Sequence, residues 1–191
     1  HAEGPSTLAS PRHHMAISLL FLRRLSLREG ALTIFPFKRL FKGKMGRLPG
    51  RLLGIVTKEK GPNKERLIIP CDHIEADTKH YYSHIIYSDD GGLNWNLGGS
   101  TMQHQVNECT VIEFKNGDLL LNMRNYTDDR LRKLSVSKDQ GISWGDIFSD
   151  ESLIEPICQA SMINIQRPFK KQLLAFSNPN SKNAREKMTI Q

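Results

Sequence analysis

From about residue 46 onward, apolar positions come in short extended runs separated by turn-forming residues. Arg66-Leu67-Ile68-Ile69-Pro70 is one run and Ser83-His84-Ile85-Ile86-Tyr87 is another. Val111, Ile112 and Phe114 follow, then Leu119-Leu120-Leu121, then the stretches 131–137, 160–165 and 172–177. The runs are rich in β-branched residues, and no long segment repeats with helical period. They predict an all-β chain, with strands at the spacing of a sandwich, barrel or propeller. Pro70, Pro156 and Pro179 are expected to close or precede strands, where a missing N–H costs little.

The stretch Asn107–Asn125 organises the pattern as a hairpin. Asn116-Gly117 is the pair that a two-residue type I′ turn prefers, because both positions need positive φ. Such a turn sets Arg124 opposite Cys109 and Glu108 opposite Asn125, at the end of the hairpin away from its tip. Strict alternation would then point Glu108 and Arg124 to opposite faces. A β-bulge near Glu108 would bring the two together; otherwise they are a solvated acid and base at a sheet edge.

One internal repeat narrows the architecture. Ser88-Asp89-Asp90-Gly91-Gly92-Leu93-Asn94-Trp95 recurs as Ser137-Lys138-Asp139-Gln140-Gly141-Ile142-Ser143-Trp144, a period of 49 residues. Both copies fit S-x-D-x-G-x-x-W, and a period of that length suits the blades of a propeller. The octet is built as a self-satisfied turn: Ser and Asp oxygens accept nearby backbone N–H groups, Gly permits the reversal, and Trp anchors it on the sheet. The ligand alternation of a calcium loop is missing from both copies.

Charge changes the picture less than the net value of +7 suggests. Residues 1–45 carry eight Lys and Arg against two acids, whereas residues 46–191 carry nineteen against eighteen. The basic excess therefore belongs to the first quarter of the chain, not to a folded face, and argues against a nucleic-acid partner. Within that quarter, Ala16–Leu22 suits a short amphipathic helix better than a signal-peptide core, because Arg23-Arg24 stand where a cleavage site should be. A membrane contact by Ile34–Arg39 is weighed and set aside. Cys71, Cys109 and Cys158 are odd in number and widely spaced, which argues against a disulfide framework and a zinc site.

The octets resemble the Asp boxes of the sialidase family, and the similarity extends beyond them. GRLLGIVTKEKGPNKERLIIPCDH, SHIIYSDDGGLNWNLGG, NECTVIEFKNGDLLLNMRN, EPICQASMI and LLAFSNPNSKNAREKMTI are similar to successive exo-α-sialidase segments, in family order. The resemblance covers residues 46–191 and leaves residues 1–45 as a non-matching, disordered or helical segment. It implies a partial six-bladed β-propeller, about three blades of four-stranded antiparallel sheet, with the active site in the central mouth. It implies removal of terminal sialic acids from glycoproteins, glycolipids or oligosaccharides, with no cofactor and no metal. Glu108 matches the carboxylate that assists a tyrosine nucleophile. Arg124 and Arg185 match two members of an arginine triad that grips the substrate carboxylate, and Gln159 lies near the sugar in relatives.

The departures are as specific. The family's first triad arginine and its acid/base Asp precede the matched segments, and nothing in residues 1–45 resembles either. The nucleophilic tyrosine belongs beyond the SNP…R segment; Tyr81, Tyr82, Tyr87 and Tyr126 stand elsewhere. An arc of blades without ring closure leaves sheets uncovered, so the chain alone is expected to be poorly soluble and inactive. Asn125-Tyr126-Thr127 is a glycosylation sequon, expected to stay unused because a glycan there would crowd Arg124. The competing reading is a non-catalytic Asp-box propeller serving as a carbohydrate- or protein-binding scaffold. A third is a basic membrane- or nucleic-acid-binding protein led by residues 1–45.

Overall fold

The computed structural model describes residues 31–33, 53–58, 65–75, 78–165 and 171–191. The helix expected at Ala16–Leu22 and the segment Ile34–Arg39 lie outside them. Among the described residues every regular element is a β-strand. In chain order these are β1 (Ala31–Thr33), β2 (Leu53–Val56), β3 (Leu67–Ile74), β4 (Tyr81–Ser88), β5 (Asn96–Ser100) and β6 (Val106–Glu113). The rest are β7 (Leu119–Asn125), β8 (Leu131–Ser137), β9 (Phe148–Ile154), β10 (Ser161–Ile165), β11 (Leu173–Pro179) and β12 (Met188–Ile190). They form three antiparallel meanders: a five-stranded sheet β1–β5, a four-stranded sheet β6–β9 and a three-stranded sheet β10–β12. Only the middle sheet has the expected four strands. The first gains β1, paired with β2 across Ala31↔Ile55.

The sheets stack face to face. Leu119, Leu121 and Met123 on β7 join Val106 and Val111 on β6 in a core with Ile68, Ile85 and Trp144. The intervening Leu120, with Ile112 and Leu134, packs instead against Ala160, Met162 and Phe176 of the third sheet. Successive side chains on a strand point to opposite faces, so a strand buried on both faces needs the unbroken apolar run Leu119-Leu120-Leu121. The middle sheet is thereby covered on each side by a neighbour.

The two octets fold as the residue types dictate. Gly92 N–H donates to Ser88 Oγ at 2.8 Å and Asn94 N–H to Asp90 Oδ1 at 2.8 Å. In the second copy Gly141 N–H donates to Ser137 Oγ at 2.7 Å and Ser143 N–H to Asp139 Oδ1 at 2.9 Å. The tryptophans differ. Trp95 donates within its own turn, to Gly92 O at 3.2 Å, whereas buried Trp144 reaches across to Gly99 O on β5 at 2.9 Å.

Three expectations need correction. The β6–β7 hairpin does not use a type I′ turn: Phe114 N–H donates to Asp118 O, Gly117 N–H donates to Phe114 O, and Gly117 has φ 92° while Asn116 is not left-handed. This is a three-residue loop closed by a glycine bulge, the other common hairpin solution. The register shifts by one in consequence, so Cys109 faces Met123 and not Arg124. Pro70 sits inside β3 and does not close it. It pairs with Ile85 on β4, while β2 extends only as far as Ile68, which leaves the proline's missing donor on an unpaired side.

Candidate functional site

The register between β6 and β7 slips between Val106 and Cys109, where Val106 opposes Asn125 but Cys109 opposes Met123. One extra residue on β6 is a bulge, and it re-aims the side chain inside it. That residue pair contains Glu108, and Arg124 Nη1 donates to Glu108 Oε2 at 2.6 Å. Both are largely buried, with 16% and 20% of their side chains exposed. Of the two alternatives left open by the sequence, the bulge is realised.

Arg124 is held but not exhausted. The Tyr126 ring lies under its guanidinium, with 4.9 Å between Cζ and the ring centroid, and Tyr81 stacks on Tyr126 at 5.3 Å. Asn107 Nδ2 donates to the Tyr126 hydroxyl at 3.1 Å. Arg124 Nε is buried and has no hydrogen-bond partner. Burial works against the charge, but the Glu108 hydrogen bond and the charges of Tyr126, Glu108 and Glu155 outweigh it and hold the guanidinium above its ordinary pKa.

Asp72 joins these two, and no sequence reading pointed to it. It faces Ser83 across β3–β4, and Ser83 Oγ donates to Asn107 O at 2.6 Å. Paired residues of a sheet share a face, so Asp72 looks toward the same stretch of β6. Cys109 Sγ, donating to Cys71 O at 3.3 Å, ties the two strands beside it. Burial first, and then the charge of Glu108, push the Asp72 carboxyl up to about 6, with Arg124 pulling the other way. The only advance signal was its place in the PCDH segment. The three cysteines are free thiols, and burial raises the Cys71 thiol to about 12.

Arg185 is elsewhere. It lies on the loop between β11 and β12, exposed, with Nη2 donating to Ile157 O at 3.3 Å. No contact joins it to Glu108 or Arg124, so the structure pairs two of the three expected residues. Gln159 is exposed on the loop before β10. The loop between β9 and β10 carries Ile157 at φ 53°, a left-handed conformation that is an outlier for a β-branched side chain. Among the described residues no group of three His, Cys, Asp or Glu side chains is arranged to hold a metal ion.

Three stacked antiparallel sheets, two Asp-box turns and an acid–guanidinium pair at the end of a bulged hairpin define an Asp-box β-propeller arc. A BNR repeat-like domain matches residues 47–191. The chain is 34% identical over 128 residues to a sialidase of Bacteroides fragilis, covering 65% of this chain and 23% of that protein. It is 33% identical over 138 residues to a sialidase of Micromonospora viridifaciens, covering 68% and 21%. A Hadza microbial sialidase superposes with a TM-score of 0.62 at 30% identity, over 72% of this chain and 26% of that one. The chain belongs to the BNR-repeat sialidase family, and it spans less than a quarter of the length of the curated relatives it matches.

Proposed function

We propose that this chain contributes the Glu108–Arg124 side of an exo-α-sialidase site that removes terminal sialic acids from glycoproteins, glycolipids or oligosaccharides. The observation that carries this reading is Arg124 itself. One nitrogen is committed to Glu108, while buried Nε has no protein partner. A buried unpaired donor on a cation is costly, and a carboxylate is the ligand that relieves it, through a charge-assisted fork that Lys cannot copy. Sialic acid presents its carboxylate on the anomeric carbon. Arg185, exposed on a neighbouring loop with one weak contact, is free to approach the same group.

Glu108 has the second role. An anionic nucleophile would be repelled by the substrate carboxylate, and sialidases are the glycosidases that use a tyrosine instead. A carboxylate beside that tyrosine draws its phenolic proton as oxygen attacks the anomeric carbon, and the aglycone leaves as an alcohol once a separate general acid protonates its oxygen. Water then hydrolyses the sialyl–tyrosine, giving retention. Within this reading, Arg124 keeps Glu108 aimed, and the Tyr126–Tyr81 stack holds Arg124 flat.

Calorimetric titration of the 191-residue chain with N-acetylneuraminic acid and with its methyl ester tests the reading. The acid is expected to bind and the ester at least tenfold more weakly, with Arg124→Lys abolishing the difference. Equal binding of acid and ester, or none of either, would sink it. A fluorogenic sialoside provides the second arm: turnover by this chain would show that it holds its own acid and nucleophile. Binding retained when a longer protein restores every family segment, but still without turnover, would favour the sugar-binding scaffold.

A further inference from the structure

The least exposed charged side chains among the described residues are Arg132 on β8 and Glu155 after β9, at 0% each. They form an ion pair, Arg132 Nη1 to Glu155 Oε2, at 2.6 Å. Fully buried pairs add little net stability, because desolvation consumes most of the attraction. Their remaining bonds are what distinguish this one. Arg132 Nε donates to Asn122 Oδ1 at 2.6 Å and Nη2 to Asn122 O at 3.4 Å. Glu155 Oε1 accepts the backbone N–H of Asn125 at 2.5 Å. The pair therefore grips β7 at the residue two before Arg124 and the residue one after it.

Its other hand holds the loop on which Arg185 rests. Arg132 Nη1 also donates to Cys158 O at 2.8 Å, and Cys158 N–H points at Glu155 Oε2 at 3.5 Å. Ile157, the residue before Cys158, supplies the carbonyl that receives Arg185 and sits in the strained left-handed conformation. Strain of that kind persists only where surrounding bonds over-determine the backbone, and the Arg132–Glu155 bonds on Cys158 are such bonds.

We propose that Arg132 and Glu155 are positioning residues: a buried clamp that sets the spacing between Arg124 and the loop supporting Arg185, so that both guanidinium groups meet one carboxylate. The proposal rests on the reading of Arg124 and Arg185 as carboxylate-holding groups. It gives a role to an ion pair whose desolvation consumes most of its own attraction. Neither residue touches the substrate.

The test separates position from stability. Replacing both members by apolar residues of similar volume, R132M with E155L, removes both buried charges together but takes their partner from Asn122 Oδ1, the Asn125 N–H and the Cys158 carbonyl, so some loss of stability is expected. Titration with N-acetylneuraminic acid and its methyl ester is run beside thermal unfolding. The expected result is a lowered melting midpoint with the fold retained, acid affinity reduced at least tenfold and ester affinity unmoved. Acid affinity unchanged in a folded double variant would overturn the clamp. If the double variant does not fold, Glu155→Gln and Glu155→Asp decide. Gln keeps the reach to Asn125 N–H and is expected to stay within threefold, whereas Asp keeps the charge on a shorter arm and is expected to lose tenfold. Equal affinities for the two would overturn it as well. A parent chain that does not discriminate acid from ester would overturn the carboxylate reading first, and the clamp with it.

Discussion

Trp144 and Gly99 lock the first two sheets together: the indole N–H of the second octet donates to the Gly99 carbonyl at 2.9 Å, and Gly99 N–H donates to Gly141 O at 2.8 Å. A Cβ on Gly99 would lie 2.6 Å from the Ile142 carbonyl oxygen, a backbone atom with nowhere to go. The pair Gly98-Gly99 is thus a gap into which the neighbouring Asp box fits. Gly99→Ala is expected to destabilise the chain by about 1–3 kcal/mol through overpacking. Trp144→Ala, which empties a buried site, should cost about 3–5 kcal/mol. Chemical denaturation of both variants checks the order; a neutral Gly99→Ala would mean the sheets are not clasped there.

Asp72 gives the site a pH signature. Its pKa is raised to about 6 from an ordinary 3.8, so the folded state holds the proton more tightly than the unfolded chain. A group shifted in that direction costs stability once both states are ionised, above about pH 6, and costs nothing below the unfolded value. Asp72→Asn is accordingly expected to stabilise the chain at pH 7.5, by on the order of 3 kcal/mol, and to lose most of that advantage by pH 4. Melting temperatures of parent and variant across that range measure it; a constant difference would mean that burial and Glu108 do not raise the Asp72 carboxyl.

His84 works in the opposite sense. Burial, and then the neighbouring His73 with its Nδ1 3.1 Å away, lower the imidazole to about 3. The unfolded chain takes up the proton near pH 6.5 and the folded one does not, so stability falls as pH drops below 6.5. The slope from this group is about 1.4 kcal/mol per pH unit between there and pH 4. His84→Gln, which keeps a polar side chain without the titration, is expected to flatten the acid limb of a stability–pH curve. An unaltered limb would assign acid lability to other groups.

The sequon at Asn125 should remain bare for a stronger reason than crowding. Asn125 is 1% exposed, and its Nδ2 donates to Asp129 Oδ1 at 2.6 Å and to Leu131 O at 2.9 Å. Its Oδ1 accepts from both Thr127 N–H and Thr127 Oγ, each at 2.8 Å. Every polar atom of the side chain is engaged. Peptide mass spectrometry after expression in a glycosylating host is expected to find Asn125 unmodified, and a glycopeptide there would show that the β7–β8 turn forms late or differently.

Several features could be read before any fold was known. The S-x-D-x-G-x-x-W octets encode their own turns, since donor and acceptor lie within a few residues of each other, and both close as their chemistry requires. Strands β3, β4, β6, β7, β8, β10 and β11 were legible because each buries apolar residues. Strands β5 and β9 were not. Asn96–Ser100 carries two glycines whose purpose is contact with another sheet, and Phe148–Ile154 is mostly exposed and acidic; neither alternates in a way that announces a strand.

What the residues determined alone is whatever local chemistry closes on itself: the Asp boxes, the hairpin, the doubly buried Leu119–Leu121 run, and the family those motifs mark. Tertiary structure decided everything that depends on a one-residue slip or on a distant partner. A glycine bulge at the hairpin tip and a second bulge at its base set which side chain Arg124 meets. Asp72, Arg132 and Glu155 became visible only when strands far apart in sequence were brought within hydrogen-bonding and Coulombic reach. Side-chain period on a strand is two, so a single extra residue reverses a face, and no local pattern records where that residue will be accommodated.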